Sequence, residues 1–179
     1  MNIYIDTEFN EFQGELISMA LVSESGEEFY EVLPCANPGP WVAENVMPIL
    51  GQQAIPKESL QVKLQHWLSQ FARVHLVADW PEDIQHFCAM LITGPGMRLN
   101  TPSLSMEIRR DLDAHSELPH NALADARAIR ALAMNLRGDG PLRSSRAVCA
   151  HIQASEGFAS IARAADIASD NAKGNDHDQ

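Results

Sequence analysis

The chain has 179 residues, a formal net charge of −11 and three widely spaced cysteines, Cys35, Cys88 and Cys149. That length suits one domain whose core needs no disulfide or structural metal, and cysteines without a CxxC pair argue against a zinc ribbon and for a reducing compartment. The acidic balance argues against a protein that coats DNA by neutralising phosphates. With no basic leader and no apolar run near the ~20 residues of a bilayer crossing, a soluble cytoplasmic protein without a membrane partner is expected.

The elements follow in chain order. Residues 2 to 6, rich in Ile and Tyr, read as a buried strand. "ELISMALVS" (15 to 23) and "EEFYEVL" (27 to 33), joined by the turn "ESGEE", read as two more, giving an antiparallel meander. "PCANPGP" (34 to 40) is loop, and "WVAENVMPIL" reads as a short helix. Pro56 suits a first helical position, and Leu60, Leu64, Trp67, Leu68 and Phe71 recur at helical spacing, which predicts an amphipathic helix over 56–71. "RVHLVAD" (73 to 79) is a fourth strand ending in an acid, and "PEDIQHFCAMLI" (81 to 92) a helix ended by "TGPG". A short strand near 97–100 and a weakly patterned helix over 103–113 come next. The clearest helix runs from Asn121 to Leu136, with Gly138 as its stop. Residues 144–168 are expected to form one more helix, and the last ten a frayed tail.

This order predicts an α/β fold with a central mixed five-stranded sheet, the meander first and helix-linked strands after it, flanked by helices. The expected division is a domain over 1–137 and a C-terminal helical extension with a flexible tail over 138–179.

Charge is unevenly spread. Residues 1 to 56 hold nine acids and no Lys or Arg, whereas eight of the ten arginines lie between Arg98 and Arg146. The acidic end suits cations and the arginine-rich stretch suits phosphates. Asp6 and Glu8 share parity on the first strand, so both side chains leave on one face. Side by side they repel, and a magnesium or manganese ion between them would remove that penalty. A DxE pair alone also fits a strand running out into solvent. Asp79 sits where the fourth strand ends, and ligand sites of helix-linked sheets lie at the carboxyl ends of strands. It fits an N-cap as well as a metal ligand, and Asp83, one turn into the next helix, competes for the ligand role. Asp125 is four residues before Ile129, on the stripe that continues through Leu132 and Leu136, so a carboxylate faces the core and must be paired or metal-bound. His120, five residues earlier, can accept a proton from an attacking water.

"IDTEF", the acid ending the fourth strand and "HNALAD" together resemble the DEDDh 3'-to-5' exonucleases: DxE near the N-terminus, a middle Asp, then H-x4-D. The resemblance covers residues 1 to 137, and the compact opening is similar to the small bacterial exoribonucleases of the RNase AS type. It implies a ribonuclease H-like fold, two Mg2+ or Mn2+ ions on Asp6, Glu8, Asp79 and Asp125, His120 as general base, the 3' end of single-stranded RNA as substrate, nucleoside 5'-monophosphates as products, and a homodimer. Asp79 is taken as the middle acid. Thr7, Phe9, Phe12 and Arg109 are the expected substrate contacts, with Arg110 beside them; the two phenylalanines fit core packing equally well. The alternatives are an exonuclease of the same fold acting on single-stranded DNA, and a nucleic-acid-binding module without chemistry.

Overall fold

The computed structural model describes residues 1–138, apart from Phe12. The helix expected over 144–168 and the frayed tail lie outside the described residues.

Seven strands and four helices are present among them: β1 Asn2–Phe9, β2 Leu16–Ser23, β3 Glu28–Val32, α1 Pro40–Asn45, α2 Lys57–Leu68, β4 Arg73–Ala78, α3 Pro81–Leu91, β5 Ile92–Gly94, β6 Met97–Arg98, β7 Ser103–Ile108 and α4 Ala122–Arg137. Five strands form one mixed sheet in the order β3-β2-β1-β4-β7. β3, β2 and β1 pair antiparallel, as the tight turn between β2 and β3 dictates. β4 lies parallel to β1, and β7 parallel to β4, because helices carry the chain back between them. β5 and β6 form a separate two-stranded ribbon.

Alternation along β1 sends its residues to two cores. Ile3 and Ile5 join Leu60, Leu64, Leu68, Leu76 and Phe87 on the face covered by α2 and α3. Tyr4 joins Val77 and Ile129 on the face covered by α4. β2, an acid-free and mostly apolar run flanked by β1 and β3, is buried along its whole length. Where α4 crosses β2, both surfaces are made of small residues: Ala122 and Ala126 pack against Ala20 and Val22. The helix therefore approaches the sheet closely.

Four expectations change. Residues 103–113 are not helical: "SLSMEI" forms β7, and only Arg110–Leu112 makes a short 3-10 turn. Leu, Met and Glu favour helix singly, but the apolar residues alternate at 104, 106 and 108, the period of an edge strand with one face exposed. The fifth strand of the sheet is thus β7, and residues 97–98 belong to the ribbon instead. The buried stripe of α4 runs through Ala122, Ala126, Ile129 and Ala133, and Leu136 is exposed. Pro56 occupies the N-cap of α2, one position before the first helical residue. The limits of α4 are as expected: the Asn121 side chain accepts from the Ala124 N–H at 3.1 Å, and Gly138 closes the helix with a φ of 80° that a side chain would resist.

None of the described helices is long and apolar enough to cross a membrane.

Candidate metal centre

The site lies where β1 and β4 end side by side. Tyr4 pairs with Val77 in the parallel ladder, so two residues further along each chain stand Asp6 and Asp79. Asp6 and Glu8 have the parity of Tyr4 and emerge on the α4 face, where the first turn of the helix offers Asp125. Thr7 points the other way, towards α3. Its N–H and hydroxyl both donate to Oδ1 of Asp83, at 3.0 and 2.7 Å. One strand end therefore meets carboxylates from both layers of helices.

Two groups of three result. Ligand oxygens of Asp6, Glu8 and Asp125 lie within 4.8 Å of one another, and those of Asp6, Asp79 and Asp83 do the same. Asp6 belongs to both. The structure thus brings Asp79 and Asp83 into the centre together, where the sequence offered them as competitors. Asp79 does not cap α3, because the N-cap position falls on Trp80.

The described chain offsets these acids only in part: the Arg110 charge acts on Asp79, and His120 on Asp125. None of the five carboxylates accepts a hydrogen bond from a Lys or Arg side chain, and Oδ2 of Asp6 and Oδ2 of Asp83 are buried without a partner. The energetics follow. Burial, then the charges of Asp83, Glu8, Asp125 and Asp79, push the Asp6 carboxyl well above its ordinary range. Burial and the charges of Asp125 and Asp83 raise Glu8 to about 8. Burial raises Asp83 to about 7, against the two bonds from Thr7 that favour its charged form. Burial also raises Asp79 and Asp125. A divalent cation in each triplet would pair the two orphaned oxygens and cancel the repulsion. An all-oxygen donor set of this kind fits magnesium or manganese and lacks the nitrogen or sulfur that zinc sites favour.

His120 stands at the rim. Its φ of 66° is a left-handed conformation that few non-glycine residues adopt. In that conformation its backbone N–H reaches Oδ2 of Asp125 at 2.9 Å. The exposed imidazole meets the Trp41 ring edge-on, centroids 4.8 Å apart. Trp41 is placed by Asn10 at the end of β1, whose amide donates to the Asn37 carbonyl at 2.9 Å and accepts from the Gly39 N–H at 2.8 Å.

An open cavity of about 570 Å³ unites these groups; the five acids, Thr7, Phe9, Trp41, Trp80 and His120 all line it. Phe9 is half-buried, with its ring 5.1 Å from that of His86. Thr7 is buried and acts on Asp83. Arg109 does not line the cavity; its Nε and Nη2 donate to Asp111. Phe12 lies outside the described residues.

Sequence reasoning missed the two tryptophans. Trp41 is 53% exposed and Trp80 42% exposed, both at the cavity wall. An aromatic directly after an acid at a strand end was the available signal for Trp80. It also missed Glu82, which accepts from Trp80 Nε1 at 2.9 Å and from the Gln13 N–H at 3.1 Å, tying the β1–β2 loop to α3. Neither a protein-family model nor a curated protein matches the sequence.

Proposed function

We propose that the protein is a divalent-metal-dependent 3'-to-5' exoribonuclease with a ribonuclease H-like fold, acting on single-stranded RNA in the manner of the DEDDh exonucleases. The observation that carries this reading is Asp6 shared between two carboxylate triplets in one cavity. A shared central carboxylate is what two adjacent cations need, and paired cations are a recurrent device for phosphodiester cleavage.

Asp6, Glu8 and Asp125 would hold one Mg2+ or Mn2+ ion, and Asp6, Asp79 and Asp83 the second. When bound, such ions acidify water and stabilise charge on the attacking and leaving oxygens. The chain's own residues do the rest. Thr7 fixes Asp83 through two hydrogen bonds, which keeps its second oxygen free for a ligand. His120 takes the proton of the attacking water, and the bond from its backbone to Asp125 keeps the imidazole beside that triplet. Exposed Trp41 and half-buried Phe9 offer faces on which terminal bases stack without regard to sequence. Release of nucleoside 5'-monophosphates follows from attack on the last phosphodiester.

The test uses single-stranded RNA and DNA labelled at either end, with magnesium or with EDTA. Magnesium-dependent release of mononucleotides from the 3' end of RNA is expected. No metal-dependent release from either polymer would sink the enzyme reading, and equal rates on DNA would remove the RNA preference.

A further inference from the structure

We propose that Arg110 is a substrate-positioning residue that grips a backbone phosphate of the incoming single strand, held ready for it by Trp80. The inference rests on the exonuclease reading and adds to it the group that steers a polyanion into an acidic cavity.

The electrostatic problem is plain from the lining. Seven carboxylates face the cavity: Asp6, Glu8, Glu11, Asp79, Glu82, Asp83 and Asp125. Among the described residues, no Lys or Arg lines it. Two divalent ions would offset only part of that charge, and they serve the reacting phosphodiester. A neighbouring phosphate of the strand still needs a cation.

Arg110 sits at that boundary. Its guanidinium carbon lies 4.2 Å from the centre of the Trp80 ring, and Nη1 donates to the backbone carbonyl of Asp79 at 2.7 Å. Trp80 is itself anchored through its indole N–H to Glu82. The guanidinium therefore sits over an anchored ring, beside two cavity-lining residues. One N–H is engaged, and among the described residues Nε and Nη2 have no other hydrogen bond in the structure. Those two donors form the fork that matches a phosphate, and holding the fork in advance lowers the entropy lost on binding.

Four other cations are engaged by the chain itself. Arg109 is bound by Asp111, Arg127 by Glu28, Lys63 by Glu31, and Arg130 by the carbonyls of Ser23 and Glu24. Arg110 is held by an uncharged carbonyl and an aromatic face; its charge favours the ionised form of nearby Asp79 but makes no salt bridge among the described residues, so the guanidinium can still take an outside anion.

The experiment measures initial rates on a single-stranded RNA oligonucleotide in magnesium, and binding of the same oligonucleotide by fluorescence anisotropy in EDTA, across a range of KCl. Arg110→Ala should raise KM about tenfold, the scale of a charge-assisted hydrogen bond, with kcat lowered less than about threefold. The slope of log affinity against log salt should become shallower by about 0.7, the value for one phosphate contact on a single strand. Arg110→Lys should keep the slope and recover part of the KM, since it retains charge but loses the fork. Arg127→Ala, one positive charge lost elsewhere, should leave the slope unchanged. An Arg110→Ala protein with wild-type KM and slope overturns the proposal, and so does a raised KM with an unchanged slope, which would make Arg110 a mere prop for Asp79. If wild type releases no mononucleotides, the exonuclease reading falls, and the anisotropy slope still decides the phosphate contact.

Discussion

The two ends of the sheet hold acids of the same kind in opposite circumstances. Around the start of β1 and the β2–β3 turn, the chain answers its own carboxylates. Glu28 receives both arms of Arg127 at 2.6 Å, and that guanidinium holds its carboxyl below the usual range. Glu27 accepts from the hydroxyls of Ser23 and Ser25, which likewise lower it. Glu24 takes a bond from Asn2 at 2.7 Å and lies 3.8 Å from Arg137. At the other end of β1, Asp6, Glu8, Asp79, Asp83 and Asp125 are all pushed upward, and among the described residues no arginine or lysine is bonded to any of their carboxylates. A single helix, α4, serves both ends, with Asp125 in its first turn and Arg127, Arg130 and Arg137 turned to the far side. The arginines of α4 are spent at the far end and not on the cavity. Acids left unanswered in this way are the mark of a site that waits for something outside the chain.

The comparison breaks most visibly at Asp6. Asp6→Asn should lower kcat about a thousandfold, because the proposed ligand common to both ions would carry several kcal/mol of charge stabilisation. The same variant should melt higher than wild type in EDTA at pH 8 to 9, since a repelling charge is gone; calorimetry on both proteins checks it, and a lower melting temperature would show that Asp6 is answered by the chain after all. His120→Ala should reduce kcat by about a hundredfold, the usual scale for a general base. Manganese titration by calorimetry should find its metal affinity within a few fold of wild type, and a lost site would instead make His120 a ligand.

Acidity sharpens the contrast further. Glu8 is raised from 4.5 to about 8 and Asp83 from 3.8 to about 7. An acid with a raised folded-state pKa stabilises the fold fully below its unfolded value, and that contribution is lost as pH climbs through the folded value. Metal-free protein should therefore lose melting temperature between about pH 4 and 8, by roughly 5–10 °C. Saturating magnesium at pH 8 should restore much of it, because a ligand of the native state alone stabilises by mass action. A flat profile in EDTA would refute the unanswered-acid picture. The smallest effect belongs to the answered end: Arg127→Ala removes an exposed pair worth at most ~1 kcal/mol, so melting should fall only a few degrees and kcat should stay as in wild type.

Much of the site was legible because it depends on local rules. Parity put Asp6 and Glu8 on one face of β1, and the five-residue interval placed His120 and Asp125 at one helix start. What could not be read was anything fixed by a neighbour in space. Asp79 and Asp83 looked like rivals because the choice hung on where α3 begins. With its N-cap on Trp80, both acids turn inward, one before the helix and one held by Thr7. β7 was misread because three helix-favouring residues hid a two-residue alternation that only the edge of a sheet makes visible. The stripe of α4 was set one residue aside of its true line because alanines carry little hydrophobic signal, although they fill the contact with β2. Trp80 and Arg110 meet across thirty positions of chain, which no spacing rule announces.

Those alanines have a mechanical meaning. Ala122 and Ala126 against Ala20 and Val22 act as shims that set the gauge between helix and sheet. The depth to which Asp125 descends is fixed by methyl groups that touch no ligand. Ions of slightly different radius ask for slightly different gauges, so, if the proposed cations bind, the preference for one over another is set in an apolar seam on the same face of the sheet.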